Sequence, residues 1–370
     1  MNNIKGQLLQ IEYAVNKLRI FLAAKGNKAV IITRRNLFSY VTGGEVNIIN
    51  MASEYANAIV ILTELNKIIT YSIGDAGTLN HELLQTAGFQ LIPYRYFDAL
   101  DIRKYLSDLS GTDKILSDQP GLFENGYKEL LALTRPCTSY EKETYHNLGS
   151  LCGKALSVIC NEITQNMTEL EAQALACREF MNAGLQPEVF LVGNWQRIKN
   201  TRHFMSTIQP VGRRVMLIAC IRYRGLVLSF TRDLFFRPME QEEYDLCYKM
   251  AYLSSLMQAD TITGKSDDQL YQDYYNAFCK VGLKDEFYEH PSAGYTGYEA
   301  RTSWITKTSN LILQDFDAIA LNPCINGYKS EDTFIMENNM PQRINIGIWP
   351  EVAFDIKNKI IERPMPLILV

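Results

Sequence analysis

The sequence predicts an α+β protein of two domains. A smaller α/β domain spans residues 1–132, and a larger domain, residues 133–370, is a curved antiparallel sheet covered by two helix pairs. Three observations lead there. The chain has 370 residues, enough for two domains at roughly 100–200 residues each. Its first ~130 residues intersperse helical and strand-like hydrophobic patterns, the mark of an α/β unit. Beyond them, an order of two helices followed by strands occurs twice, and a sheet faced by helix pairs is the economical way to bury such elements.

Residues 4–24 place Ile4, Leu8, Ile11, Val15, Leu18 and Leu22 at three- and four-residue spacing, the apolar stripe of an amphipathic helix. Residues 29–32 (Ala-Val-Ile-Ile) read as a buried strand, and residues 37–44 (Leu-Phe-Ser-Tyr-Val-Thr-Gly-Gly) as a strand ending in a glycine turn. Residues 56–63 and 67–73 form an apolar pair around a polar turn, followed by a helix near 79–87. Ser-Asp-Gln-Pro-Gly at 117–121 reads as a linker, with a short helical stretch and Arg-Pro-Cys-Thr-Ser at 135–139 after it.

Thr138 with Glu141, and Thr168 with Glu171, match the capping box, in which a hydroxyl and a carboxylate satisfy orphan N–H groups at a helix start. The helix opened by Thr168 is expected to run to about Asn182 and stop at Gly184. Strands follow at 189–192, 215–221 and 225–236, then helices near 239–259 and 266–280 that end at Gly264 and Gly282. The remainder is strand-rich, at 319–323, 333–336 and 366–370.

Composition narrows the function. The apolar fraction is 47%, and 37 basic residues nearly balance 41 acidic ones, which argues against disorder and against nucleic-acid binding. Apolar runs such as 215–221 fall far short of the roughly 18 residues of a membrane span. No apolar signal core follows a basic start, and eight scattered cysteines without a Cys-x-x-Cys pair fit free thiols, so a cytoplasmic location is expected. Nucleotide-binding glycine loops, a Walker lysine and Gly-x-Ser-x-Gly are absent. Lys329 and Ser330, beside Glu331, superficially suggest a nucleophile dyad, but neighbouring Ser and Lys read as solvated turn residues.

Only four histidines are present. His81 and His146 read as surface residues. His203 follows the irregular polar stretch Gly-Asn-Trp-Gln-Arg-Ile-Lys-Asn-Thr-Arg at 193–202, and His290 sits in the glycine-rich approach to a strand at 289–298. Loops of that kind carry functional groups.

Ser-Phe-Thr-Arg at 229–232, Glu-His-Pro-Ser-Ala-Gly at 289–294, Leu-Asn-Pro at 321–323 and Lys-Ser-Glu-Asp-Thr at 329–333 stand in an order that resembles the pita-bread family of methionine aminopeptidase, aminopeptidase P, prolidase and creatinase. Residues 36–44 are similar to a stretch of the creatinase-type N-terminal domain, and Trp349-Pro350 and Arg363-Pro364 to a divergent Xaa-Pro peptidase branch. The resemblance implies a pita-bread domain preceded by a creatinase-like one, and a homodimer.

It also implies where a dinuclear metal site would fall. Peptidases of that family hold two divalent cations with two Asp, one His and two Glu. Carried onto this chain, the two Asp positions are Ile218 and Ser229, the first Glu is Asn322, and His290 and Glu331 are retained. One imidazole and one carboxylate cannot balance two divalent cations, so no metal or other cofactor is expected. Asp233 is a poor substitute, because strand alternation points it away from the face of Arg232. His203 falls where relatives keep a histidine beside the substrate, and metal-free creatinase uses that histidine as general base. Creatinase also has a Glu where this chain has Thr231, which argues against creatinase activity itself. The second peptidase histidine falls near Gly297 or Tyr298 and is missing.

The expected catalytic set is therefore His203, His290 and Glu331, with Tyr298, Arg301 and Asn322 on the substrate, a small molecule or short peptide. Three functions compete: a metal-independent hydrolase of a small amide, amidine or peptide; a non-catalytic descendant that binds such a ligand; and a genuine Xaa-Pro metallopeptidase with an unusual metal site.

Overall fold

The computed structural model describes residues 3–97, 104–105, 114–347 and 349–369, so Val370 of the predicted tail lies outside the described residues. The chain divides into two compact units, Met1–Glu141 with Arg224–Leu226, and Lys142–Tyr223 with Val227–Val370.

In the first unit, helix α1 (Ile4–Lys25) buries Ile11, Val15, Leu18 and Leu22 along the predicted stripe. Asn3 caps its start, and Gly26 closes it in the left-handed region at φ 79°, where a side chain would be strained. Strands β1 (Ala29–Arg34), β2 (Tyr55–Thr63), β3 (Lys67–Ser72), β4 (Gln90–Tyr94), β5 (Ile115–Ser117) and β6 (Glu124–Asn125) form one sheet in the order β4-β3-β2-β1-β5-β6. The β1–β2 and β2–β3 pairs are antiparallel and the rest parallel.

Two sequence expectations fail here. Residues 37–44 do not form a strand: helix α2 (Arg35–Val41) follows β1 directly. Asn36 through Val41 are all buried, so the run carries neither a two-residue nor a 3.6-residue alternation, and a short buried helix looks like a buried strand. The 117–121 stretch is not a free linker either. Ser117 ends a sheet strand, and the fully buried Asp118 accepts hydrogen bonds from the backbone N–H groups of Thr33 and Arg34 and from Thr33 Oγ1 at 2.7–3.0 Å. Short helices α3 (His81–Thr86) and α4 (Tyr127–Ala132) match their predictions.

In the second unit the double helix–helix–strand order is as predicted. Helices α5 (Ser139–Glu162) and α6 (Glu169–Asn182) lead to β7 (Gln186–Asn194), the single turn α7 (Trp195–Ile198), β8 (Arg214–Tyr223) and β9 (Leu226–Phe235). Helices α8 (Gln241–Asp260) and α9 (Asp267–Lys280) lead to β10 (Ala293–Tyr295), β11 (Ser303–Trp304), β12 (Ala318–Leu321), β13 (Cys324–Ile325), β14 (Tyr328–Lys329), β15 (Asp332–Glu337), β16 (Met340–Arg343), β17 (Glu351–Ile356), β18 (Lys359–Pro364) and β19 (Leu367–Ile368). Both predicted capping boxes form: Glu141 Oε2 accepts from Thr138 N at 2.7 Å, and Glu171 Oε2 from Thr168 N at 2.8 Å.

The strands make a four-stranded sheet, β19-β9-β8-β7, and a five-stranded antiparallel sheet, β11-β10-β12-β15-β16. The two are laced along β9, where Val227 N donates to Gly297 O at 2.8 Å and Thr231 N to Glu331 O at 3.1 Å. Helix α6 packs on β7, and α8, paired with α9, packs on β17 and β18. The largest apolar core lies between α8, α9 and the strands from β10 onward. Among the described residues no helix is long and apolar enough to cross a membrane.

Gly149 and Gly153, one turn apart on α5, let residues 344–347 approach to backbone contact. A Cβ on Gly149 would stand 2.6 Å from Ile344 Cγ2, and one on Gly153 2.8 Å from Gly347 N. Gly149→Ala is therefore expected to cost about 1–3 kcal/mol by overpacking against an immovable backbone. Ser150→Ala on the exposed side of the same turn should stay within about 0.5 kcal/mol. Equal midpoints for the two variants in urea denaturation would contradict this.

Candidate functional site

The site is assembled by the loops that flank α7 and β10, all within the second unit. Glu169, fully buried at the start of α6, anchors the first loop. Its Oε1 accepts from Asn194 N at 2.8 Å, and its Oε2 accepts from Thr207 N at 2.8 Å, from Thr207 Oγ1 at 2.7 Å and from Arg197. Gly193 leaves room for the ring of Phe204, which packs with Ile198, Met216 and Ile218. The residue before that anchor is His203.

Arg202, one position earlier, pairs with Glu286 and lies 3.8 Å from Glu289. Those acids sit on the turn of 3₁₀ helix that leads into His290. This clamp sets the two loops side by side, and the His203 and His290 rings lie with centroids 5.2 Å apart at 56°. Burial, then the Lys329 ammonium, lowers the proton affinity of His203. The same two causes, with His203 itself, bring His290 down to about 4. Both imidazoles are therefore neutral at pH 7, and His290 Nδ1 is buried with no hydrogen-bond partner among the described residues.

Beside the imidazoles lies a buried ion cluster. Glu331 is 3% exposed. Its Oε1 accepts from Arg301 Nη2 at 3.0 Å; its Oε2 accepts from Lys329 Nζ and from Thr231 Oγ1, each at 2.8 Å. Burial alone would raise this carboxyl, but Lys329 and Arg301 outweigh it and hold it at about 2. The other guanidinium nitrogen of Arg301 donates to Ser229 Oγ at 3.1 Å, and Cys220 Sγ lies 3.3 Å from that hydroxyl. Behind this layer Asp332, also buried, bonds Arg232 and Arg363 at 2.7 Å each.

Five of the residues singled out in the sequence converge here: His203, His290, Glu331, Arg301 and Ser229. Asn322 is 2% exposed, its N–H bonded to Ser292 O at 2.8 Å beside the His290 loop, and its Oδ1 has no hydrogen-bond partner. Tyr298 is 1% exposed, and its carbonyl accepts from Arg222 at 3.0 Å. Ile218 belongs to the apolar cluster under Phe204. Asp233 takes no part: it pairs with Arg214 at 3.1 Å. His81 is half-buried and packs edge-on against Tyr71.

Sequence reasoning missed Lys329, whose side chain is only 6% exposed and ion-paired, not solvated. The two-residue spacing from Lys329 to Glu331, which puts both side chains on one face of an extended chain, was the available signal. Among the described residues, no group of three or more His, Cys, Asp or Glu side chains could hold a metal ion.

Solved structures of the same fold include the Xaa-Pro dipeptidase from Bacillus anthracis, with TM-score 0.75 and 13% identity over 97% of this chain and 100% of that one. The prolidase from Pyrococcus horikoshii OT3 is similar at TM-score 0.74 and 14% identity, over 91% and 99% of the two chains. The N-terminal domain of the FACT complex subunit SPT16 from chickpea is similar at TM-score 0.66 and 11% identity, over 94% and 97%. No protein-family model and no curated protein matches the sequence. At these identities the likeness establishes the fold, the pita-bread architecture that the sequence motifs imply.

Two acid transitions follow. His290 binds fewer protons folded than unfolded between pH 6.5 and about 4, so stability falls as the pH drops through that window. Glu331 is depressed from 4.5 to about 2, so its contribution is complete above pH 4.5 and is lost toward pH 2. His290→Asn should flatten the first limb of a plot of unfolding free energy against pH. Glu331→Gln should remove the second and cost about 3–5 kcal/mol at neutral pH, because Arg301 and Lys329 stay buried without their counter-ion. Wild-type acid dependence in either variant would refute the assignment.

Proposed function

We propose that the second unit carries a metal-free site for a short peptide or small amide, on the fold shared with the Xaa-Pro peptidases. The observation that carries this reading is the state of Glu331. Its carboxylate is engaged by a guanidinium, an ammonium and a hydroxyl, so two fixed cations already stand where a divalent ion would seek negative charge. The other positions that the family resemblance assigns to metal do not fit one either. Ile218 lies in an apolar cluster, Ser229 accepts from Arg301, and Asn322 is a neutral amide. Hard divalent cations need several anionic oxygens, and this donor set supplies one, already neutralised.

In this reading, the acceptors left to a ligand are His290 Nδ1 and Asn322 Oδ1, both buried without a partner among the described residues, and the exposed ring of His203. The two unpartnered atoms accept hydrogen bonds from the N–H groups of an amide. Arg301 and Lys329 leave the cluster one positive charge in excess of Glu331, which favours a ligand with a neutral or anionic end.

The neutral imidazole pair favours a second reading, hydrolysis of the bound amide. His203 takes a proton from water as the oxygen adds to the carbonyl carbon, and that proton passes to the departing amine. General-base help of this kind supplies about 10²–10⁴-fold. Glu331, held ionised, serves there by keeping Arg301 and Lys329 in place, not by donating a proton.

The test is a thermal-shift and turnover panel of dipeptides and small amides on protein purified with and without chelator. Ligand-dependent stabilisation with equal midpoints in chelator and in Mn²⁺ is expected. A rise in midpoint with two equivalents of Mn²⁺, or activity lost to chelator, would reject the metal-free site. Turnover that falls at least 100-fold in His203→Ala establishes hydrolysis, and turnover unchanged by it excludes His203 as the base.

A further inference from the structure

A cavity of about 590 Å³ lies in the second unit between α5, residues 345–347 with Trp349, and Leu367 and Leu369. Trp349 lines it, and the Arg232 guanidinium sits 5.5 Å from that ring. Arg232 bonds Asp332, whereas the neighbouring Thr231 and Glu331 bond each other in the imidazole site. Because side chains alternate across an extended chain, the cavity lies behind the sheet from Glu331. It is a place distinct from the one assigned above, and its size falls within the roughly 300–1,000 Å³ typical of small-molecule sites.

Its walls differ in chemistry. One is apolar, from Ile346, Trp349, Leu367 and Leu369. The other is a face of α5 that carries Lys154, Ser157 and Asn161 beside the buried Leu156. Lys154 is the one Lys or Arg among the described lining residues, no Asp or Glu joins it there, and it forms no ion pair with a described residue. Gly153, Ile346 and Gly347, all among the lining residues, meet at backbone contact, so that part of the wall is set by backbone rather than by mobile side chains.

We propose that this cavity is a second binding site, for a free carboxylate with an unbranched aliphatic body. The carboxylate meets the Lys154 ammonium, and the chain lies along Ile346, Trp349, Leu367 and Leu369. An aliphatic body suits this wall because three of its four side chains are aliphatic and one face of Trp349 is already covered by Arg232. A cationic amphiphile is disfavoured, since the described lining residues include Lys154 and no Asp or Glu.

Titration calorimetry of the intact chain with hexanoate, octanoate and octylamine, each below its aggregation concentration, tests this. Octanoate should bind one to one. Hexanoate, two methylenes shorter, should bind about 15-fold more weakly, at about fourfold per methylene. Octylamine should not bind. Lys154→Glu should lose octanoate at least 10-fold, and Ser157→Trp, which fills the cavity from α5, should abolish it. Absence of octanoate binding, equal binding of octylamine, or wild-type affinity in both variants would overturn the proposal. So would octanoate-independent sedimentation with phosphatidylglycerol vesicles lost in Lys154→Glu, which would make the surface a lipid contact instead.

Discussion

The second unit depends on how one buried carboxylate is neutralised. An uncompensated charge at 3% exposure would be prohibitive, and Glu331 is accommodated by drawing in Arg301 from the β10–β11 connection, Lys329 from β14 and Thr231 from β9. Three stretches of chain, 229–232, 300–302 and 328–332, are thereby fixed to one another. The adjacent Asp332 does the same on the reverse side with Arg232 and Arg363. Consecutive acids with opposite orientation thus pin two layers, and the laced backbone of β9 holds the two sheets together through the same residues. The stabilising value of such clusters is modest when compared with apolar packing, but removing one partner is costly, so they specify the arrangement strongly.

The same arrangement determines the electrostatics around the imidazoles. Lys329 is tied to Glu331 and also lowers the proton affinity of His203 and His290. Neutral histidines are acceptors and bases rather than cations, and here that state is imposed by a neighbouring ammonium as well as by burial. The ion cluster and the imidazole pair are therefore one electrical unit.

What the sequence disclosed follows the range of the physics involved. The stripe of α1, both capping boxes and the glycine stops at Gly184 and Gly282 are local signals that matched the structure, whereas α8 ends at Asp260, capped by Thr261, short of Gly264. Helix α2 was misread because burial on every side of Asn36 to Val41 erased the alternation that distinguishes helix from strand. Asp118 was taken for part of a linker because its partners, Thr33 and Arg34, are some 85 positions away. In the site, motif order located His203, His290, Ser229 and Glu331, whereas Lys329 was dismissed as a turn residue. The two-residue spacing from Lys329 to Glu331 puts the two side chains on one face, but burial of the pair follows only once β9 and β15 are in place.

The clamp of Arg202 on Glu286 and Glu289 has a further consequence. The spacing of the imidazoles is set by two loops and an ion pair rather than by the register of the sheet. Hydrogen-bonded register changes only in whole-residue steps, but a loop can lengthen, shorten or exchange one acid for another by small increments. The spacing of the two imidazoles is thus adjustable without disturbing the core, and a scaffold of that kind can pass from one ligand to another while its architecture stays fixed.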